Sequence, residues 1–296
     1  MVREASRRFQ IDIRHDEGWF DGLGNTRLFR QRWLSSGDIK AVVIIVHGLF
    51  EHSGRYAWFA EQLAAHGFAV CAFDQRGHGK SEGLRGYVNH FTDFQHDLDV
   101  FCKATCMEFP GKQVFLFGHS VGGTIVTGYA VDHQDRLTGL IFSAATTVPG
   151  TSITRLSVAA ARVLSAIIPK MGITDFDASA ISRDKSVVEA YVSDPLVYCG
   201  KIRARLGAEL INAIEKSLPA RMPSIKLPAL IMHGSEDRLS NIQGSRFLYD
   251  SIGSRDKDIK YYDGFHHEIL NEPGREMILA DILTWLDSHA NRGLRD

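Results

Sequence analysis

The apolar positions near the start of the chain alternate with polar ones. Phe9, Ile11 and Ile13 share one face, and Phe29, Gln31 and Trp33 share another. The turn-rich residues 21–26 separate the two segments, a pattern that predicts an antiparallel hairpin. Beyond it the alternation gives way to continuous apolar runs at 41–46, 68–73, 114–117, 140–142, 229–232 and, apart from Lys260, 259–262. Runs of this length suit strands buried on both faces, as in a parallel sheet. Between them lie stripes at helical spacing: Tyr56, Phe59, Ala60 and Leu63; then Phe94, Leu98 and Phe101; then Ile278, Ile282, Leu283 and Leu286.

Strands alternating with helices predict an α/β fold with a mostly parallel, doubly wound sheet. Residues 149–222 are the exception, with helical spacing and no clear strand. An insertion of that size between two sheet strands is expected to lie over the sheet as a helical cap. The predicted division is therefore a core of residues 1–148 plus 223–296 and a cap of residues 149–222. No internal repeat, low-complexity tract or flexible linker interrupts this plan.

Composition narrows the partners. With 44% hydrophobic and 23% charged residues the chain reads as globular, and 34 basic against 35 acidic residues give no electrostatic reason to expect a nucleic-acid partner. The start, MVREASRRFQ, has no apolar core, so no secretory signal is expected. The longest apolar stretch, residues 156–168, would make a helix of roughly 20 Å against a hydrocarbon core of roughly 30 Å, so no membrane span is expected. Cys71, Cys102, Cys106 and Cys199 form no C-x-x-C pair and read as reduced thiols. The expected compartment is the cytosol.

One apolar run leads into candidate chemistry. Val114–Phe117 is followed by Gly118-His119-Ser120-Val121-Gly122-Gly123 and then a helix-like segment. A sharp strand-to-helix turn pushes the serine Oγ out of the sheet, the glycines admit the tight backbone, and the first helical N–H groups face the reacting oxygen. The letters G-x-S-x-G alone are weak, arising by chance about once in ten chains of this length. Gly79-Lys80-Ser81-Glu82-Gly83 matches them too, but Ser81 follows a polar loop and precedes charged residues, so it reads as structural. Asp74 stands where a phosphate-binding loop needs its first glycine, and Asn271 stands where the zinc motif H-E-x-x-H needs its second histidine, so neither motif is present. No metal and no cofactor are expected.

A serine nucleophile of this kind needs an acid and a histidine from loops after later strands. Residues 229–232 lead into His233-Gly234-Ser235-Glu236-Asp237, and residues 259–262 lead into Asp263-Gly264-Phe265-His266-His267. Asp237 is the candidate orienter, or else a cap on the next helix. His267 and His266 are both candidates for the base. The remaining histidines near motifs, His47, His78 and His119, read as loop braces. His47-Gly48-Leu49-Phe50 follows the run at 41–46, the position that supplies one oxyanion donor. The expected donors are the backbone N–H groups of Leu49 and Val121.

These residues resemble the monoglyceride lipase family, the lysophospholipase-like branch of the α/β hydrolases, from about Trp19 to Trp285. His47-Gly48-Leu49-Phe50-Glu51-His52-Ser53-Gly54-Arg55-Tyr56 is similar to that family's HGxGEHSGRY signature, and Asp74–Ser81 to its DxRGHGxS loop. Gly118–Gly123 matches GHSxGG, Gly234–Asp237 matches GxxD, and the G-x-x-H pattern at Gly264 implies His267 as the base. Ser182-Arg183-Asp184-Lys185 and Ser193-Asp194-Pro195-Leu196 resemble stretches of the family's caps. The resemblance implies the α/β-hydrolase fold and cleavage of a small lipid ester, a monoacylglycerol, into fatty acid and glycerol. It places Glu51 and Arg55 near the head-group end. An apolar cap also implies contact with membranes or lipid droplets. Phe50 departs from the pattern, since the family usually has glycine there, and a ring at that point is expected to narrow the acyl channel or re-aim the oxyanion loop. The alternatives are a broad carboxylesterase or lysophospholipase, and a ligand receptor on a hydrolase scaffold.

Overall fold

In the computed structural model, which describes residues 12–150 and 153–290, each of these apolar runs lies in a strand of one sheet. Strands β1 (Ile13–Asp21) and β2 (Arg27–Ser35) pair antiparallel from Ile13↔Ser35 to Asp21↔Arg27, which is the expected hairpin. Phe9 and Ile11, two of the residues that predicted it, lie outside the described residues. Next come β3 (Ala41–Val46), β4 (Phe68–Phe73), β5 (Val114–His119) and β6 (Gly139–Ser143). Two short strands, β7 (Gly172–Thr174) and β8 (Ile202–Arg203), pair only with each other. Then β9 (Ala229–Gly234) and β10 (Lys257–Tyr262) complete an eight-stranded sheet of order β1-β2-β4-β3-β5-β6-β9-β10. All of its pairings from β4 to β10 are parallel.

The sheet separates two layers of core because successive side chains of a strand point to opposite faces. From β3, Val42, Ile44 and Val46 join one cluster, while Ala41, Val43 and Ile45 join the other. The first cluster includes Phe94, Leu98 and Phe101 of α2 (Thr92–Glu108) and Ile125 and Val126 of α3 (Val121–His133). The second includes Phe59, Ala60 and Leu63 of α1 (Ala57–Ala65). The helices were named by the same stripes that the sequence shows. All six side chains of β3 are fully buried, and burial of each Val or Ile among them contributes about 1.5–3 kcal/mol relative to exposure, which is why the run admits no polar residue.

Two details differ from expectation. Strand β10 is not buried on both faces: Asp258, Lys260 and Tyr261 are exposed, and among the described residues it is an edge strand with only β9 beside it. Charged side chains on an edge also discourage pairing with other chains. The other detail is the pair β7 and β8, three and two residues long, in the segment read as strandless. Strands so short leave no periodic signal.

Between β6 and β9 the chain also forms α4 (Arg155–Ile167), α5 (Lys185–Ser193) and α6 (Ala204–Asn212). Helix α4 opens on a reciprocal cap between Thr154 and Ser157 and buries Val158, Ala161 and Ser165. Its other side exposes Leu156, Val163 and Ile167. The chain ends its described part with α7 (Ile242–Ser251) and α8 (Arg275–Ala290). No helix among the described residues is long and apolar enough to cross a membrane.

Candidate active site

The parallel strands bring their C-terminal ends, and the loops that follow, to one rim of the sheet. Val46 of β3 pairs with Gly118 of β5, so the loop at 47–50 lies beside the turn at Ser120. Ser120 stands between β5 and α3 with φ 52° and ψ −121°, a left-handed conformation that costs an L-residue about 1–3 kcal/mol. The glycines explain how the turn closes. A Cβ on Gly122 would come 2.1 Å from the Val46 carbonyl oxygen, and one on Gly118 would come 2.8 Å from the Gly122 carbonyl oxygen. Val121 opens α3, so its N–H has no partner within the helix and points from the helix end.

Asp237 and His267 meet. The carboxylate Oδ2 lies 2.7 Å from His267 Nδ1, and Oδ1 accepts the Leu239 and Ser240 N–H groups at 2.8 and 2.9 Å. A carboxylate can only accept, so Nδ1 carries the proton and Nε2 is left as the acceptor. Asp237 does not cap the following helix: Asn241 caps α7 through Gln243 N. His266 makes no such contact: its Nδ1 is buried and has no hydrogen-bond partner among the described residues. Burial opposes the Asp237 charge, but the charge of His267 and a hydrogen bond from His233 hold its carboxyl far below the usual carboxylate range. Burial likewise opposes protonation of His267, yet Asp237 beside it raises its imidazole above the ordinary value of 6.5.

Sequence reasoning missed His233. Its Nε2 lies 3.0 Å from Asp237 Oδ2, and its Nδ1 is 2.7 Å from Ser245 Oγ. Two histidines therefore share one carboxylate oxygen. The spacing of four residues from Asp237 was visible, but the turn after β9 that folds the ring back was not.

The loop after β3 is braced from below. Glu51 Oε1 accepts from Gly48 N at 2.6 Å and from the Tyr56 hydroxyl at 2.7 Å. Its Oε2 accepts from Arg55 at 3.1 Å, and Arg55 forms a two-pronged pair with Glu268, with Nη2–Oε2 at 2.7 Å. The guanidinium also lies 4.6 Å over the Tyr191 ring. Glu51 and Arg55 are thus engaged inside the protein, where burial raises the Glu51 carboxyl. A Cβ on Gly48 would come 3.2 Å from Ser120 Cβ, so this backbone lies against the serine. His47 accepts from Gln75 N at Nε2 and donates from Nδ1 to the Gly48 carbonyl; burial pushes its imidazole down to about 4. His119 bonds Ser143, and burial keeps it neutral as well. Ser81 is tied to the Asp74 carbonyl and to Phe29 N, as a structural residue.

The Ser120 hydroxyl contacts Thr146 Oγ1 at 3.4 Å, and Thr146 is 2.8 Å from Ser240 Oγ. Thr146, and not His267, is thus the side-chain partner of the Ser120 hydroxyl among the described residues. The His267 ring is close by, packed 4.7 Å from the ring of His119, the residue before Ser120. Rotation about the serine Cα–Cβ bond is the motion that swings Oγ away from Thr146 and changes its partner.

A positive-φ serine between strand and helix, on a parallel sheet of this order, defines the α/β-hydrolase fold. The sequence model of the serine aminopeptidase S33 family of hydrolases matches residues 37–274, which takes in β3 to β10. The monoacylglycerol lipase of Mycolicibacterium smegmatis is 35% identical over 94% of this chain and 99% of its own length. Human monoglyceride lipase is 34% identical over 83% of this chain and 81% of its own. The crystal structure of Paleococcus ferrophilus monoacylglycerol lipase superposes with a TM-score of 0.80 at 34% identity, covering 88% of this chain and 99% of that one. The chain belongs to the monoglyceride lipase family of α/β hydrolases and is a carboxylic ester hydrolase.

Proposed function

We propose that the protein cleaves monoacylglycerols to fatty acid and glycerol, with Ser120 as nucleophile, His267 as base and Asp237 as its orienter. The observation that carries this reading is the buried Asp237–His267 pair at 2.7 Å, on the same sheet rim as the strained Ser120. Ser120 Oγ attacks the ester carbonyl as His267 Nε2 takes its proton. The Leu49 and Val121 N–H groups stabilise the oxyanion, and the glycerol oxygen leaves with the proton from His267. Water, activated by the same imidazole, then frees the fatty acid. Glu51 and Arg55 enter as braces: they hold the loop that glycerol hydroxyls meet as they approach.

A series of monoacylglycerols of increasing chain length, run beside lysophospholipids and p-nitrophenyl esters, tests the substrate class. The highest kcat/KM is expected on a monoacylglycerol. Equal rates on all esters would favour a broad carboxylesterase, and failure of Ser120 to react with a fluorophosphonate would favour a receptor.

Residues 149–222 act in this proposal as a lid over the site. Their contacts support it, since Ile181 accepts from Glu268 N next to His267, and Asp194 meets His52 at 2.9 Å. The stripe Ile153, Leu156, Val163 and Ile167 is exposed by 42 to 80%, an apolar face suited to lying on a lipid surface. Replacing Leu156 and Ile167 by glutamine is expected to weaken sedimentation with liposomes by roughly tenfold or more per residue, from about 1.5–3 kcal/mol for each buried side chain. Hydrolysis of a short soluble ester should stay unchanged; undiminished liposome binding would put the lipid contact elsewhere.

A further inference from the structure

Phe50 is fully buried at φ 69°, a conformation that glycine accepts freely and an aromatic residue does not. Such a backbone persists where its surroundings hold it. The holding groups come from the lid segment. The Phe50 carbonyl accepts from Tyr198 N at 2.9 Å, and the ring meets Tyr198 and Phe176 edge-on, with centroids 5.0 and 5.7 Å away. Gly86 closes the pocket from the core: a Cβ there would come 2.8 Å from Tyr198 Cε1 and 3.3 Å from Phe50 Cε1. On the other side of Leu49, Gly48 is fixed by Glu51. Leu49 therefore sits between one anchor in the core and one anchor in the lid.

We infer that Phe50 is a positioning residue that couples the oxyanion loop to the lid. Seating of Tyr198 and Phe176 on its ring holds the left-handed turn, and that turn aims the Leu49 N–H at the reacting carbonyl. Other ties between this loop and the lid, His52 with Asp194 and Arg55 with Tyr191, lie beyond the turn and do not fix its direction. Lid displacement that unseats Tyr198 would then weaken the oxyanion hole, so that a docked lid and a competent site go together. The inference rests on the proposed role of Leu49 as an oxyanion donor.

The test uses p-nitrophenyl butyrate, too short to need the lid for acyl binding. Phe50→Gly leaves the left-handed backbone accessible but removes the ring that pins it; Tyr198→Leu keeps apolar bulk and the backbone N–H and removes the partner ring. Each is expected to lower kcat by about tenfold with KM within about twofold, less than the loss of a whole oxyanion donor. The double variant should fall no further than the worse single one, because the two act through one contact. Tyr198→Phe should restore the wild-type rate. Unchanged kcat in either single variant, or losses that multiply, would overturn the coupling. Thermal melting checks folding, and Phe50→Leu serves as the milder variant should glycine prevent it, with a kcat loss in the same direction expected. A matched pair of trifluoromethyl and methyl ketones separates the two claims. If the fluorinated ketone binds the wild type no better than its partner, the oxyanion assignment fails. If it binds the wild type tightly and the variants equally so, the coupling alone fails.

Discussion

Ser120→Ala is expected to lower turnover on any ester by at least about a thousandfold, the behaviour of a nucleophile whose neighbours remain in place. The substitution removes one oxygen and little else. Alanine meets the same left-handed backbone that serine already tolerates at φ 52°, and the lost hydroxyl contact, to Thr146, is a long one at 3.4 Å. The Asp237–His267 pair and both oxyanion N–H groups stay, so a residual rate above that of water is expected from them. Thermal melting should be nearly unchanged, which separates lost chemistry from lost folding. A folded variant retaining a tenth of wild-type turnover would move the nucleophile elsewhere.

How much of this could be read from the sequence depends on how local the signal is. Strands β3 and β4 were legible to the residue because both faces are buried and every position must be apolar. Strand β10 was legible as a strand but not as an edge, since Asp258 and Lys260 take their meaning from its place as the last strand of the described sheet. The serine turn could be told from the second G-x-S-x-G by its flanks alone, for Ser81 lacks a strand before it and a helix after it. The loops that carry Asp237 and His267 followed from chain order.

Other features depend on contacts between distant parts of the chain. Whether Asp237 caps a helix or faces an imidazole turns on a single residue, Asn241, which takes the capping role. Nothing near His233 in sequence says that its ring will share Oδ2 with His267. Thr146 reaches Ser120 only because β5 and β6 are neighbours, with His119 paired to Ser143. Glu51 and Arg55 were legible as charged residues in a signature, but their partners Glu268 and Tyr191 lie more than a hundred residues on. Phe50 was visible as a departure from the family pattern; its aromatic partners were not.

Asp237→Asn tests the electrostatics of the site, and both the size and the pH dependence of its effect follow from the hydrogen bonds. In the wild type, His267 must be neutral to take the serine proton. Asp237 raises its pKa above 6.5, so a given acidic pH leaves more of it protonated, and the acid limb of kcat/KM lies above that value. Removing the charge leaves burial less opposed, and the limb should move to lower pH. The maximal rate should nonetheless fall by about ten-thousandfold, the order found when the orienting carboxylate of such a triad is made an amide.

The amide has two orientations. With its oxygen toward the imidazoles, its NH2 faces the N–H groups of Leu239 and Ser240, donor against donor, and neither backbone group can change its role. With its oxygen toward that backbone, its NH2 faces His267 Nδ1 and His233 Nε2, and both rings can answer by changing tautomer. His233 loses little, since its Nδ1–H can donate to Ser245 Oγ. His267 loses its function, because the proton moves to Nε2 and the nitrogen that must accept from Ser120 becomes a donor. Rate profiles from pH 5 to 9 on a soluble ester check both parts. A variant within tenfold of wild type, or one whose acid limb does not move, would mean that Asp237 does not set the state of this histidine.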